Sequence, residues 1–416
     1  MAYINRVADE ELANRLAAAG AVLIEGPKAC GKTETARRLS HHEFRFDVDP
    51  GARALVAASP QTLFDQEPPI LLDEWQVAPA LWDLVRRAVD DQWPERGRFI
   101  LTGSATPDPA TRRHTGTGRI SVLRMRPMSL FELGRSTGEV SIQNLFEGAT
   151  PAAIDPGVSV PQLVDCLVTG GWPNLVGAST KDAQTWIQDY ITNLVEVDVQ
   201  QLDGRRDPRN LRRLLTALGR AVGTDMTTQS LARDVGGTDG PADRDAVAAY
   251  LRALERLMVV ENLEAWAPHM RSTTPLRKAE KRYMVDPSIG VGALGVGSSR
   301  LLSDLNATGF HFEGMVVRDV RVYAQGVGGR VSHWRDNNGH EVDLIVSLSD
   351  GRWGAFEVKM NPDDVPAAAV GLLRFVQKVD LVRMGEPTFM GVITTNTAAF
   401  RRDDGILVIP LTVLGP

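Results

Sequence analysis

Residues 26–33 read Gly-Pro-Lys-Ala-Cys-Gly-Lys-Thr, the spacing G-x-x-x-x-G-K-T, with an apolar run before it and helix formers after it. That is the sequence form of a phosphate-binding loop set between a buried strand and a helix. Gly26 and Gly31 let the backbone of the loop, Pro27 included, turn tightly, so that the N–H groups of Gly26, Lys28, Ala29, Cys30, Gly31, Lys32 and Thr33 face an anion. Lys32 is expected to reach the β- and γ-phosphates of ATP, and the Thr33 hydroxyl to ligate Mg²⁺. Further on, Ile70-Leu71-Leu72 ends in Asp73-Glu74. Asp73 is expected to hold Mg²⁺ and Glu74 to polarise the attacking water. A third apolar run, Phe99–Leu101, leads to Thr102-Gly103-Ser104. Ser104 is the first candidate for a polar residue between the two acids, with Thr102 second; a Ser/Thr turn capping a strand is the plain alternative. Arg112, Arg113, Arg119, Arg124 and Arg126 follow. Arg119, after Thr-Gly-Thr-Gly, is the candidate arginine finger, in cis or from a neighbouring subunit; a solvated basic loop is the alternative.

A second set of acids lies in the last third. Glu341-Val342-Asp343-Leu344-Ile345-Val346 alternates, so Glu341 and Asp343 share a face. Glu357 and Lys359 share a face of the next strand, with Phe356 and Val358 opposite. Two carboxylates on adjacent strands, Asp343 and Glu357, can hold a divalent metal, and Lys359 can sit beside an attacking water. Glu313, on the preceding helix, is a candidate auxiliary acid. Helix, three strands, helix and strand, with Asp343 then Glu-Val-Lys, resembles the restriction-endonuclease-like fold, although Val342 stands where that signature has proline. A domain with the fold and without the chemistry, its Glu357 and Lys359 an ordinary pair, is the other reading.

The elements that must position these groups are legible from periodicity. Leu12–Ala19 reads as a helix, Ala21–Glu25 and Phe44–Val48 as strands, and Trp82–Val89 as an amphipathic helix. Pro127 to Leu133 is expected to open the next helix. Arg330–Arg335 and Phe389–Thr394 read as strands on either side of the second acid set. Thr228–Asp234, a turn, Asp245–Leu257 and Met258–Leu263 give helix, turn, helix and strand, the order of a winged helix-turn-helix. The second helix offers Arg252, Glu255 and Arg256, a mixed set poorly suited to phosphates, so packing or a partner is favoured over DNA reading. Arg277, Lys278, Lys281 and Arg282 read as a solvated basic face.

The chain has 416 residues, 43% hydrophobic and 24% charged, with a net charge of −6. That is room for several cores, without an overall basic surface to attract nucleic acid. Two cysteines, Cys30 and Cys166, argue against a disulfide framework and fit a cytoplasmic protein. Charges through Met1–Leu16 leave no signal-peptide core, and no apolar run is long enough to span a bilayer.

Gly26–Thr33, then Leu-Leu-Asp-Glu-Trp-Gln, Leu-Thr-Gly-Ser-Ala and Arg-Pro-Met-Ser-Leu-Phe-Glu-Leu, resembles the prokaryotic AAA-type P-loop ATPases that carry a C-terminal domain of unknown function. The resemblance implies an α/β fold with a three-layer P-loop NTPase core and ATP hydrolysis. With the readings above, the expected organisation is an ATPase domain at 1–137, a linker and helical region at 138–222, a winged-helix-like module at 223–268 and a restriction-endonuclease-like domain at 269–416. Two functions compete. One is a Mg·ATP hydrolase coupled to a domain that contacts DNA or another nucleic acid, with nuclease activity open. The other is a nucleotide-gated switch that binds a protein partner through an inactive nuclease-like domain. Either is compatible with an oligomer.

Overall fold

The computed structural model describes residues 3–103, 116–154, 156–200, 202, 207–267, 279–395 and 397–416. They form two compact units, Met1–Pro127 with Trp172–Asn174 and Arg256–Met258, and the remainder.

The first unit runs α1 (Val7–Ala18), β1 (Ala21–Glu25), α2 (Lys32–Arg37), β2 (His42–Arg45), α3 (Pro50–Ala58), α4 (Pro60–Phe64), β3 (Ile70–Asp73), α5 (Ala80–Asp91), β4 (Phe99–Thr102) and β5 (Ile120–Arg124). The strands make one sheet in the order β2-β3-β4-β1-β5, every pairing parallel. Strands buried on both faces read as continuous apolar runs, and alternation divides them. Ala21, Leu23, Ile70, Leu72, Phe99 and Leu101 pack with residues of α3, α4 and α5. Val22, Ile24, Leu71 and Ile100 pack with Ala8, Leu12 and Leu16 of α1 and with Ala36. The result is the expected three-layer core. α1 begins earlier than the apolar pattern does, because the Asp9 carboxylate in its first turn accepts the Arg6 N–H (2.8 Å).

The second unit takes in Met128 to Thr137, a stretch that the sequence reading assigns to the ATPase domain. Leu130 N–H donates to Asp319 (3.0 Å), and Ser136 Oγ donates to the Leu414 carbonyl (2.7 Å). Residues 130–134 form a turn, and no helix opens at Pro127 to Leu133; Glu132 accepts from the Ser129 N–H and hydroxyl. β6 (Val140–Ser141) and α6 (Ile142–Phe146) follow, then helices α7 (Val160–Thr169), α8 (Thr180–Asn193), α9 (Pro208–Arg220), α10 (Thr228–Gly236) and α11 (Arg244–Arg256). β7 (Val260–Leu263) pairs antiparallel with β8 (Lys281–Met284), so this strand pair crosses the boundary expected at 268/269. α12 (Pro287–Ala293), α13 (Ser298–Leu302) and α14 (Leu305–Gly326) lead to β9 (Arg330–Arg335), β10 (Glu341–Ser347), β11 (Trp353–Val358), α15 (Val365–Val376), α16 (Leu381–Met384), β12 (Phe389–Thr394), β13 (Phe400–Arg401), β14 (Leu407–Pro410) and β15 (Leu414–Gly415). Six strands form a mixed sheet, β13-β14-β12-β11-β10-β9, whose one face packs on α15 through Trp353, Ala355, Val392, Leu372 and Phe375. The final strand β15 pairs with β6.

Arg318 on α14 is fully buried. It donates to Asp286 (2.8 Å) and to Asp319 (2.8 Å); Asp286 also accepts the Gly171 N–H (2.9 Å). Replacing Arg318 with Met leaves two carboxylates buried without their cation, so the second unit should lose about 3–5 kcal/mol in urea unfolding. His311, on the same helix, is pushed down to about 4 by burial. A histidine neutral in the fold but ordinary when unfolded contributes stability above pH ~6.5 that is lost as pH falls toward ~4. His311→Gln should therefore flatten the acid limb of the stability–pH curve.

Candidate functional site

The carboxyl ends of β1, β3 and β4 lie at one edge of the first sheet, since parallel pairing aligns Ile24 with Thr102 and Asp73 with Thr102. The loop 26–31 leaves that edge. Its shape depends on two glycines. A Cβ on Gly26 would stand 2.4 Å from the Met125 carbonyl oxygen, and Gly31 has φ 102°. Ala29 is also left-handed, φ 61°, and exposed, while Pro27 and Cys30 are buried and Lys28 partly so. Successive residues of this kind turn N–H groups to one side, a concavity suited to an anion. The Lys32 ammonium donates to the carbonyls of Gly26 (3.0 Å) and Pro27 (2.8 Å). Asp73 Oδ1 accepts from Thr33 Oγ1 (2.9 Å) and Thr102 Oγ1 (2.5 Å). Glu74 is held left-handed, φ 53°, with its carboxylate accepting from the Gln76 amide; such strain in a non-glycine residue gathers at functional sites.

The hydroxyl that meets Asp73 is thus Thr102, the second choice from sequence. Ser104, Arg112 and Arg113 lie outside the described residues. Arg119 is elsewhere. Its carbonyl accepts from Ala21 N–H at the start of β1 (3.2 Å), and its side chain pairs with Asp90 (2.7 Å). β1 then runs its full length, about 15 Å at ~3.3 Å per residue, before the loop begins. Within this chain Arg119 therefore lies at the opposite end of β1 from the loop. Sequence reasoning misses Arg6. It is buried and its guanidinium donates to the carbonyls of Cys30 (2.9 Å) and Arg126 (2.7 Å), clamping the loop to the chain after β5. Asp9, an acid in the first turn that accepts the Arg6 N–H, is its one signal.

The acids of the second unit also meet. Asp343 Oδ2 accepts from Val358 N–H of β11 (2.9 Å), and on its other side β10 meets β9 through a register shift between Val342 and Ile345; an irregularity of this kind re-aims a side chain. Lys359 Nζ lies 2.9 Å from Glu357 and 4.0 Å from Asp343. Lys281, assigned to a solvated face from sequence, is 4% exposed. Its Nζ is 3.4 Å from Asp343, 3.6 Å from Glu313 and 3.7 Å from Glu341. Arg282 of the same run is half-buried; Arg277 and Lys278 lie outside the described residues. Tyr283 OH donates to Glu313 (2.6 Å). Burial, reinforced by Asp343, pushes Glu313 up to about 7 and Glu357 well above its ordinary value. For Asp343 burial acts upward, but Lys281, Lys359 and the Val358 N–H outweigh it and hold the carboxyl below its usual value. Among the described residues no group of three or more His, Cys, Asp or Glu is arranged to hold a metal ion. The two acid sets differ in what faces them: Asp73 meets the hydroxyls of Thr33 and Thr102, an arrangement that leaves oxygens for a Mg²⁺, whereas the carboxylates around Lys281 already face ammonium groups.

Residues 18–134 match the family model described as an AAA domain. Residues 160–300 and 308–414 match two domains of unknown function, DUF8612 and DUF4143. The chain is 27% identical over 358 residues to the uncharacterized protein Mb2031c of Mycobacterium bovis, covering 85% of this chain and 73% of that one, and equally to Rv2008c of Mycobacterium tuberculosis. A solved structure titled as the Walker-type ATPase PABY2304 of Pyrococcus abyssi is 13% identical, with a TM-score of 0.40, over 70% of this chain and 96% of that one. No helix among the described residues is long and apolar enough to cross a membrane.

Gly26→Ala should abolish nucleotide binding while the unit stays folded, because its methyl meets a backbone carbonyl rather than a movable side chain. Fluorescent-nucleotide titration with circular dichroism on the same sample checks both halves.

Proposed function

The chain belongs to the AAA-type P-loop ATPases, and on that premise we propose that it binds and hydrolyses Mg·ATP at the carboxyl edge of its first sheet. The observation that carries the reading is Asp73 accepting from Thr33 and Thr102 beside the loop 26–31. Mg²⁺, when bound, neutralises phosphate charge and fixes the phosphate oxygens. Thr33 and Asp73 would hold it, Asp73 directly or through water. Loop N–H groups and Lys32 bind the phosphates. Thr102 orients Asp73, and Glu74, set by Gln76, takes the proton of the attacking water. Arg119 belongs to turnover only if a neighbouring subunit presents it.

We read α9, α10, α11 and the β7–β8 pair as winged-helix-like, and α14 with β9–β12 as restriction-endonuclease-like. Of the two couplings open from sequence, the nucleotide-gated switch with a protein partner is favoured over a nuclease acting on nucleic acid. The reason is that Asp343 and Glu357 already have lysine partners.

Lys32→Ala should weaken ATP binding about 10–100-fold, the loss of a charge-assisted contact. Glu74→Gln should keep binding and slow hydrolysis about 10²–10⁴-fold, the usual contribution of a general base. Normal turnover by Lys32→Ala protein would end the assignment. Arg119→Ala should leave the nucleotide Kd unchanged.

A further inference from the structure

The second acid cluster has the residue types of a metal-dependent nuclease, but its centre is already taken by a side chain. We propose that the Lys281 ammonium serves there as the resident cation in place of a divalent metal, closing the domain to metal-dependent chemistry and fastening the β7–β8 pair to β10 and α14. The inference rests on the switch reading above and deepens it.

Three observations carry it. Lys281 Nζ is within 3.7 Å of carboxylate oxygens from two elements, Glu313 on α14 and Glu341 and Asp343 on β10. Metal ions are centred among oxygens in the same way, though at the shorter ~2.0–2.6 Å of a coordination bond. The lysine is buried, so its ammonium cannot be traded for water without leaving the acids unmatched. Lys359 takes the outer side, on Glu357. A divalent ion entering between them would meet two fixed positive charges at contact range, and repulsion in a buried setting is poorly screened. The carboxylates also have structural roles: Asp343 satisfies the Val358 N–H beside the irregular register, and Glu313 accepts from Tyr283. Lys281 comes from β8, the strand paired with β7. The ammonium therefore joins that pair to the mixed sheet, a mechanical task that a free ion could not perform.

The test is Mn²⁺ binding, followed by electron paramagnetic resonance without nucleotide on the full chain. The unchanged protein should take no ion at this cluster. Lys281→Met should bind Mn²⁺ at least ~10-fold more tightly than the unchanged protein, and adding Asp343→Asn should remove the gain. Because Lys281→Met can fail to fold, Lys281→Gln with Glu313→Gln, which deletes one acid along with the cation, is measured beside it. A folded variant of either kind that gains no Mn²⁺ overturns the proposal. So does Mn²⁺ binding by the unchanged protein that Asp343→Asn abolishes. Metal-dependent cutting of DNA by the unchanged protein would sink the switch reading and the proposal together, whereas a folded variant that gains no Mn²⁺ while the unchanged protein cuts no DNA sinks the proposal alone, and so the two failures are separated.

Discussion

A charge taken out of water must be matched at contact distance, and that requirement organises the second unit of this chain. Arg318 is the clearest case. Asp286 and Asp319 bracket its guanidinium. Their carboxylate oxygens also accept the N–H groups of Leu130, Gly171 and Ser288. Three stretches far apart in sequence are thereby held to α14. Buried ion pairs add little net stability compared with apolar packing, yet removing one partner is costly. The network thus specifies which segments meet more than it strengthens the fold. Phe131 N–H finds Tyr323 OH on the same helix (3.3 Å).

The first unit is governed by strand direction. Parallel strands put all their carboxyl ends at one edge, so loops after β1, β3 and β4 converge without any ligand drawing them together. A loop preceding a parallel strand is sent to the other edge for the same reason, and Arg119 lies before β5. The rule that assembles Thr33, Asp73 and Thr102 is the rule that removes Arg119 from them.

Strands are legible: Arg330–Arg335 and Phe389–Thr394 match the sequence reading, and the apolar runs of β1, β3 and β4 are buried on both faces, their alternate residues in two cores. The loop glycines are equally readable, because their spacing records a backbone demand. Other features leave no local trace. Arg6 acts through carbonyl oxygens of Cys30 and Arg126, and any residue type supplies a carbonyl. Lys281 reads as one member of a surface run, since its partners Glu313, Glu341 and Asp343 lie tens of residues away and its burial depends on the β7–β8 pairing. The irregularity at Val342–Ile345 is invisible because alternation by itself assumes an unbroken ladder. The place of Arg119 is a different kind of case. A Gly-rich turn before an arginine is a local signature, whereas the edge to which that turn is sent follows from strand direction, which the phosphate-loop topology already implies.

Two sets of acids of similar composition end with opposite chemistry, and the difference lies in what faces them. Asp73 accepts from neutral hydroxyls. Hydroxyls orient a carboxylate while leaving its charge largely uncompensated, and Thr33 can itself turn an oxygen toward a cation. Asp343 and Glu357 face ammonium groups. Ammonium groups cancel the charge and occupy the space where an ion would sit. Carboxylate geometry alone therefore does not define a metal site; the count of cations already fixed by the fold decides it. By that criterion the chain keeps one set of acids ready for a charged ligand and has filled the other from within.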